Sequence, residues 1–315
     1  MLPRMPWLTD PFATEFFARA VAGGVLAALV CAVAGAWVVA RGMAFFGEAL
    51  GHGMLPGVAL ASLAGAPPLL GAAASAVVMG LLVGAVARSR LQDDTAIGIA
   101  FVGMLSAGVI VVSRSGSFAT DVTAILFGDV LAVRAGQLLA LSVGLALTLV
   151  TAAVLHRPLV ALAFDERVAH TLGLRPRLAR AGLLALVVLA VVASYQAVGT
   201  LLVVALLVGP PAAAALWARS VRGVMLGGAL VGSSAVVAGL LASWHLGTAG
   251  GASIALCAVL AVAASAGGRT LHAAWRRDDG DSRPAAQARP RQQADPTCPA
   301  LLVAPSRPPT SGADQ

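Results

Sequence analysis

Long apolar runs, separated by short polar or proline-containing segments, dominate the sequence from about residue 16 to residue 268. An α-helix rises 1.5 Å per residue, so about 20 apolar residues cross a hydrocarbon core that is about 30 Å thick. Nine runs come near this length: Phe16–Ala40, Ala44–Ala66, Leu69–Ala87, Thr95–Ser113, Ala135–Leu155, Ala181–Gln196, Val198–Ala218, Gly223–Ser243 and Gly250–Gly268. The pattern therefore predicts an all-α, polytopic integral membrane protein with about nine transmembrane helices.

The segments outside these runs divide the chain further. Residues 1–15 are mixed and lack the pattern of a removable signal peptide, which predicts a short external segment before a transmembrane domain over 16–268. The longest polar insertion, 156–180, contains one or two amphipathic helical turns around Leu162 to Leu172. Residues 269–315 hold seven Pro and seven Arg with little apolar periodicity, which predicts a disordered tail. Pro210 and Pro211 interrupt the seventh run and predict a kink or a helix break.

Composition supports the membrane assignment and excludes other classes. Hydrophobic residues make up 59% of the chain and charged residues 11%, against about 25% charged residues in an ordinary globular protein. Mean hydropathy is +0.89, too high for a disordered chain. The sequence contains no lysine, so it cannot hold a phosphate-binding loop of the GxxxxGK type. Any ATP hydrolysis that drives this protein must take place on another polypeptide.

The net charge of +7 comes from arginines that gather on one side of the predicted membrane. Alternate loops hold ten arginines before the tail, against four in the other set, which consists of Arg4, Arg19, Arg114 and Arg134. The arginine-rich set is Arg41, Arg88, Arg90, Arg157, Arg167, Arg175, Arg177, Arg180, Arg219 and Arg222. Short cytoplasmic loops carry the excess of Arg, so the N-terminus is predicted outside and both the 156–180 segment and the C-terminus inside. Topology thus explains the basic charge, and a nucleic-acid partner is not expected.

Only one carboxylate and one histidine fall within a predicted span, and both lie in the second. Glu48 and His52 are four residues apart, which puts them on one helix face a turn apart. A charged side chain at the bilayer centre costs roughly 2.5–3.5 kcal/mol on insertion scales, so such a pair needs a partner or a polar path. Carboxylate oxygen and imidazole nitrogen are ligands of Zn²⁺, and Mn²⁺ or Fe²⁺ would accept them as well. The pair is the predicted metal or translocation site.

Two structural interpretations of the pair stay open. Glu48 lies close enough to Arg41 for its side chain to extend to the cytoplasmic surface, and a Glu–His hydrogen bond inside one helix could serve packing alone. The metal hypothesis carries a consequence of its own. A tetrahedral site takes four ligands and one helix offers two, so a two-fold dimer with the path on its axis would complete the site. The ligand count therefore predicts a homodimer.

Several motifs resemble one known family, the permeases of zinc, manganese and iron ABC importers. RGMAFFGEALGHGMLPGVALASLAG (41–65) resembles the pattern R-x-M-x-x-x-G-D-A-x-S-H-x-x-L-P-G-V-A. Four further segments resemble signatures of the same family. They are DDTAIGIAFVGMLSAGVIVVSR (93–114), DVTAILFGDVLAV (121–133), LVALAFDERVAHTLGL (159–174) and VGTLLVVALLVGPPAAAA (198–215). SWHLGTAGGAS (243–253) most resembles an actinobacterial zinc-type subgroup. The resemblance covers about residues 15 to 268 and implies a type II ABC importer permease in a bacterial plasma membrane.

The resemblance also implies partners and cargo. Such permeases work as dimers with two cytoplasmic ATPase subunits and an external metal-binding protein. The transported ion would be Zn²⁺ by preference, with Mn²⁺ or iron as the alternative, and no cofactor would be held permanently. The chain itself would not be an enzyme. Glu48 and His52 fall on the Asp and His that line the family's path, with Glu in place of the usual Asp and Gly51 in place of the usual Ser.

Further candidate residues follow from the same resemblance. The 156–180 segment would couple to the ATPase through Phe164, Asp165, Glu166, Arg167 and Gly173. His245 and Asp129 would lie at the external mouth and could receive the metal. A proton-coupled secondary transporter, in which Glu48 carries protons and no ATPase is needed, is the competing class. The coupling-like segment argues against that class.

Overall fold

The computed structural model describes Pro11 and residues 14–86, 93–113, 130–164 and 176–281, and it is helical without any strand in these ranges. For residues 93, 162–164, 176, 177 and 273–281 only the backbone is described. The described residues divide into two units, one that ends at His272 and one that begins at Ala273. The helices are α1 Glu15–Ala40, α2 Ala44–Gly53, α3 Leu55–Leu63, α4 Pro68–Val86, α5 Asp93–Ser113, α6 Ala135–Val154, α7 His156–Phe164, α8 Pro176–Val198, α9 Thr200–Ala215, α10 Val221–Leu246 and α11 Gly250–Asp281. A short 3₁₀ turn, Val130–Ala132, precedes α6.

Seven of the described helices are long and apolar enough to cross a membrane: α1, α4, α5, α6, α8, α10 and α11. The prediction of a polytopic all-α protein is therefore confirmed, whereas about nine spans is not. The difference lies in two of the predicted runs. The second run divides into α2 and α3 at Met54, and the seventh begins after Gly199 as α9, a helix of 16 residues.

Two predicted boundaries differ from the structure. The last helix was expected to end at Gly268, but α11 continues to Asp281, so the tail predicted to be disordered from residue 269 begins as helix. The polar insertion at 156–180 was expected to be a loop with an amphipathic turn around Leu162 to Leu172. Its first part is instead the helix α7, which follows α6 after one residue, and its last part opens α8.

Helix α1 lies at the centre of the bundle and packs against α6, α8, α9 and α10. It is buried on nearly every side, whereas α11 is the least buried of the seven long helices. The contact surface of α1 is rich in Gly and Ala, for example Gly24, Ala28 and Gly35. Small residues let helix backbones approach closely, and dispersion contacts between close helices replace the hydrophobic effect inside a lipid phase.

The closest of these approaches joins α1 to α9 at the carbonyl of Leu207. Two prolines occupy the positions that would donate a helical hydrogen bond to this carbonyl. Pro210 and Pro211 are buried inside α9, which continues through both of them. Proline has no N–H, so the carbonyl of Leu207 cannot receive a bond from residue i+3 or i+4. Its oxygen lies against Gly35 of α1, where a Cβ would overlap it. The proline pair therefore does not break the helix; it frees a carbonyl that packs on a glycine.

A side chain at position 35 should consequently destabilise the bundle. In Gly35→Ala the new methyl group meets backbone rather than a movable side chain, so we expect a loss of about 3 kcal/mol, at the upper end of overpacking costs. The melting temperature of the purified protein in detergent measures this loss. Gly103→Ala is the matched control, because no atom lies within 4 Å of a Cβ built there. Equal melting temperatures for the two variants would contradict the close packing of α1 on α9.

Candidate transport site

The predicted site pair lies on helix α2, which packs between α5 and α9. One face of α2 is buried and consists of small or apolar residues, Phe46, Gly47, Ala49, Leu50, Gly51 and Gly53. The opposite face carries Phe45, Glu48 and His52, which follow one another at helical spacing and are all at least partly exposed. The sequence therefore folds so that the polar pair lies on the partly exposed face of α2.

Glu48 and His52 contact each other directly. His52 Nε2 lies 3.1 Å from Glu48 Oε1, a distance at which the imidazole N–H donates to the carboxylate. Their side chains remain 29% (His52) and 45% (Glu48) exposed. The Glu–His hydrogen bond within one helix, which the sequence analysis kept as an alternative, is thus present. The same face can still be reached by a ligand or a second chain. A carboxylate facing lipid tails would be costly, so this face requires a polar or protein environment.

An aromatic side chain of α5 holds the imidazole from the side. The rings of His52 and Phe101 are 5.9 Å apart and inclined by 67°, in an edge-to-face arrangement. Phe45 meets the same Phe101 ring at 5.8 Å and 69°. Phe101 therefore limits the rotation of His52 about its side-chain bonds, while Glu48 holds Nε2. Sequence analysis did not single out Phe101, because one Phe in an apolar span carries no signal of its neighbour.

The buried face of α2 packs on the start of α9, close to a break in the backbone. Helix α8 ends at Val198, and Gly199 takes a positive φ of 77° before α9 begins at Thr200. A Cβ at Gly51 would lie 3.6 Å from Thr200 Cβ, so the residue next to His52 faces this break. A discontinuous helix near a polar pair is typical of transport paths in membrane proteins. No break lies at Pro210 and Pro211, because α9 continues through both; the interruption lies at Gly199, where the sixth predicted run gives way to the seventh.

The described residues contain no group of three or more His, Cys, Asp or Glu side chains that could hold a metal ion. The pair on α2 is thus incomplete as a metal site within the described part of one chain. Two ligands bind a divalent cation weakly, whereas Zn²⁺ sites take four and Mn²⁺ sites up to six.

The other predicted site residues are separate from this pair or fall outside the description. His245 lies exposed in the last turn of α10, which packs mainly on α1 and α9, so it does not join the face of α2. Phe164 ends α7, and its side chain is not described. The remaining candidates, Asp129, Asp165, Glu166, Arg167 and Gly173, lie outside the described residues. Their roles stay predictions.

A multi-pass helical protein with a carboxylate–imidazole pair on one apolar helix has the features of a membrane transport protein. Comparison with known sequences identifies the group within this class. Residues 13–267 match the ABC 3 transport family, and the chain belongs to that family. The sequence-based assignment to this family of metal-ion importer permeases is confirmed, while the zinc-type subgroup is not.

Two relatives illustrate the similarity. The "Chelated iron transport system membrane protein YfeD" of Yersinia pestis is 33% identical over 256 residues, covering 80% of this chain and 85% of the relative. The "Manganese transport system membrane protein MntC" of Halalkalibacterium halodurans is 34% identical over 245 residues, covering 78% and 84%.

Solved structures agree with the fold. One chain of "PsaBC from Streptococcus pneumoniae in complex with Fab" superposes with a TM-score of 0.72 at 30% identity, covering 82% of this chain and 94% of that one. An inward-facing structure of a putative metal-chelate type ABC transporter gives a TM-score of 0.65 at 17% identity, over 86% and 91% of the two chains, and shows the fold alone. The chain is therefore a multi-pass membrane protein with the fold of an ABC transporter permease.

Proposed function

We propose that this chain is the membrane-spanning permease of an ATP-driven importer, and that it moves a divalent transition-metal ion past Glu48 and His52. One observation carries the proposal: the only two described side chains that pair a carboxylate with an imidazole lie on a face of α2 that their own chain leaves open. Family membership supports the importer class. The names of the relatives support a metal as the cargo.

We further propose that two copies of the chain face each other through this side of α2. A second copy would cover Glu48 and His52, which would otherwise meet lipid, and it would double the number of ligands from two to four. The face also exposes Phe45, an apolar residue that a partner helix can bury. The dimer thus meets two separate requirements: it keeps the polar face away from lipid, and it completes the set of ligands.

Which metal the site prefers depends on whether each carboxylate binds through one oxygen or two. Two imidazole nitrogens and two carboxylates that each give one oxygen form a four-ligand site, which Zn²⁺ prefers. If both carboxylates bind through two oxygens, six donors result, which suits Mn²⁺ or Fe²⁺. Relatives named for manganese and iron favour the second case, and the sequence resemblance to a zinc-type subgroup favours the first. The longer side chain of Glu48, compared with the family's Asp, gives the carboxylate additional reach.

A separate ATPase subunit and an external metal-binding protein complete the proposed importer. The sequence has no lysine, so a phosphate-binding loop of the usual type cannot form in this chain. This supports the proposal that ATP is hydrolysed by a separate subunit. The arginine distribution supports a cytoplasmic position for the end of the bundle that holds Arg41, Arg157 and Arg219. The structure groups these residues, because Trp37 meets His156 at one end of α1 and Arg219 lies beside Ala40.

Removing either ligand should stop transport while leaving ATP hydrolysis in place. We expect Glu48→Ala and His52→Ala to lower metal uptake at least about tenfold, because each removes one of two ligands per chain, and even outer-shell changes at metal sites cost about 10–100-fold. Uptake of Zn²⁺, Mn²⁺ and Fe²⁺, supplied separately, is measured in proteoliposomes that contain the cognate ATPase and metal-binding protein.

The matched control is Glu15→Ala, which removes an exposed carboxylate that pairs with Arg19 at the start of α1. This variant should transport like the unmodified protein. Normal uptake by both Glu48→Ala and His52→Ala would overturn the proposed path. The metal with the highest uptake by the unmodified protein identifies the cargo.

The proposed dimer predicts a specific disulfide across the α2 face. In a background with Cys257→Ser and Cys298→Ser, where Cys31 remains fully buried, oxidation of Phe45→Cys should give a covalent dimer on a non-reducing gel. Leu139→Cys is the control, because Leu139 is also exposed but lies on α6, which packs mainly on α1 and α8. Equal cross-linking of both variants, or of neither, would contradict a dimer formed through α2.

A further inference from the structure

Helices α2 and α3 meet at Met54, two residues after His52. Pro56 lies at the start of α3 and has no N–H, so it cannot give the helical hydrogen bond that residue 56 would donate to the carbonyl of His52. The carbonyl of His52 accepts instead from a backbone N–H in the cap at the end of α2, so the regular helical ladder is interrupted next to His52. A contact from another helix can give this backbone further support.

Ser75 of α4 supplies such a contact. Its hydroxyl donates to the carbonyl oxygen of Gly53 at 2.7 Å, and the side chain is only 5% exposed. Serine and threonine inside helices commonly bond to a carbonyl of their own helix, as Thr148 does to Gly144. Ser75 instead reaches across to the residue that directly follows His52.

The surrounding packing leaves the Gly53 peptide little freedom. Met79, one turn along α4 from Ser75, lies against Gly53, where a Cβ would be 3.2 Å from Met79 Cγ. One turn beyond the break, Gly57 and Gly71 bring the backbones of α3 and α4 together so closely that a Cβ on either would overlap the other's carbonyl oxygen. Helix α4 thus holds both the break and the start of α3.

From this geometry we infer that Ser75 is a positioning residue for the metal path, which fixes the direction in which His52 leaves the helix. The inference rests on the proposed function, because it assigns Ser75 a role only through His52. Ser75 itself does not touch the metal. A ligand must be held within about 0.5 Å of its working geometry, so a change in the backbone next to His52 should weaken cation binding. Phe101 holds the imidazole ring, and Ser75 holds the backbone that carries it.

The first test compares two buried hydroxyl groups. Ser75→Ala should raise the half-saturating metal concentration for uptake about three- to tenfold, in line with the loss of one buried hydrogen bond, while maximal uptake changes less than about twofold. Thr148→Val removes a fully buried hydroxyl from α6, which packs mainly on α1 and α8, and should leave the half-saturating concentration unchanged. Ser75→Cys keeps a weak donor and a similar size, so it should lie between Ser75→Ala and the unmodified protein.

A double substitution tests the link to the proline. Pro56→Ala restores an N–H that can donate to the carbonyl of His52, so Ser75→Ala should have a smaller effect in this background than in the unmodified chain. Melting temperatures in detergent are recorded for every variant, and only variants that bind the ATPase normally are compared. An equal effect of Ser75→Ala in both backgrounds, or an effect no larger than that of Thr148→Val, would overturn the inference.

The outcomes also separate this inference from the function on which it rests. If Glu48→Ala and His52→Ala abolish uptake but Ser75→Ala behaves like Thr148→Val, the path is correct and the role of Ser75 is wrong. If all these variants transport normally, the proposed path itself fails.

Discussion

Inside a lipid phase every backbone N–H and C=O must find its partner within the protein, and this constraint governs the packing of the bundle. Prolines create the places where the constraint is hardest to meet. Pro210 and Pro211 deprive the carbonyl of Leu207 of its helical donors, and Gly35 allows α1 to close over that oxygen. At Pro56 the helix gives way to a break, and Ser75 donates to the next carbonyl along. In both places a neighbouring helix packs directly against the backbone beside the proline.

The central position of α1 follows from the same demand for close approach. Glycine and alanine lie where α1 meets α9 and α10, so these three helices form the most closely packed part of the bundle. Larger apolar side chains, such as Leu139 and Leu230, lie exposed on outer helices, where lipid can surround them. Small residues therefore mark the closest contacts between helices, while large side chains such as Trp37 and Leu50 fill the rest of the core.

The site combines a rigid backbone with an open face. Helix α2 buries its small residues against α5 and α9, and this leaves Phe45, Glu48 and His52 at the surface of a single chain. A hydrogen bond and an edge-to-face contact hold the imidazole in place without enclosing it. In the proposed dimer these two side chains would be ligands that are already oriented, and the second chain would supply the remaining ones.

Pattern along the chain was enough to predict the helical membrane class, the approximate ends of most long helices and the pairing of Glu48 with His52. These features depend on local pattern, because apolar length sets a span and spacing of four residues sets a helix face. The division of the second run at Met54 and the extension of α11 to Asp281 were not predicted. Only the tertiary structure revealed that Phe101 contacts His52 and that Ser75 donates to the adjacent Gly53, because both side chains come from other helices, and no pattern within a single span records which helix will be its neighbour.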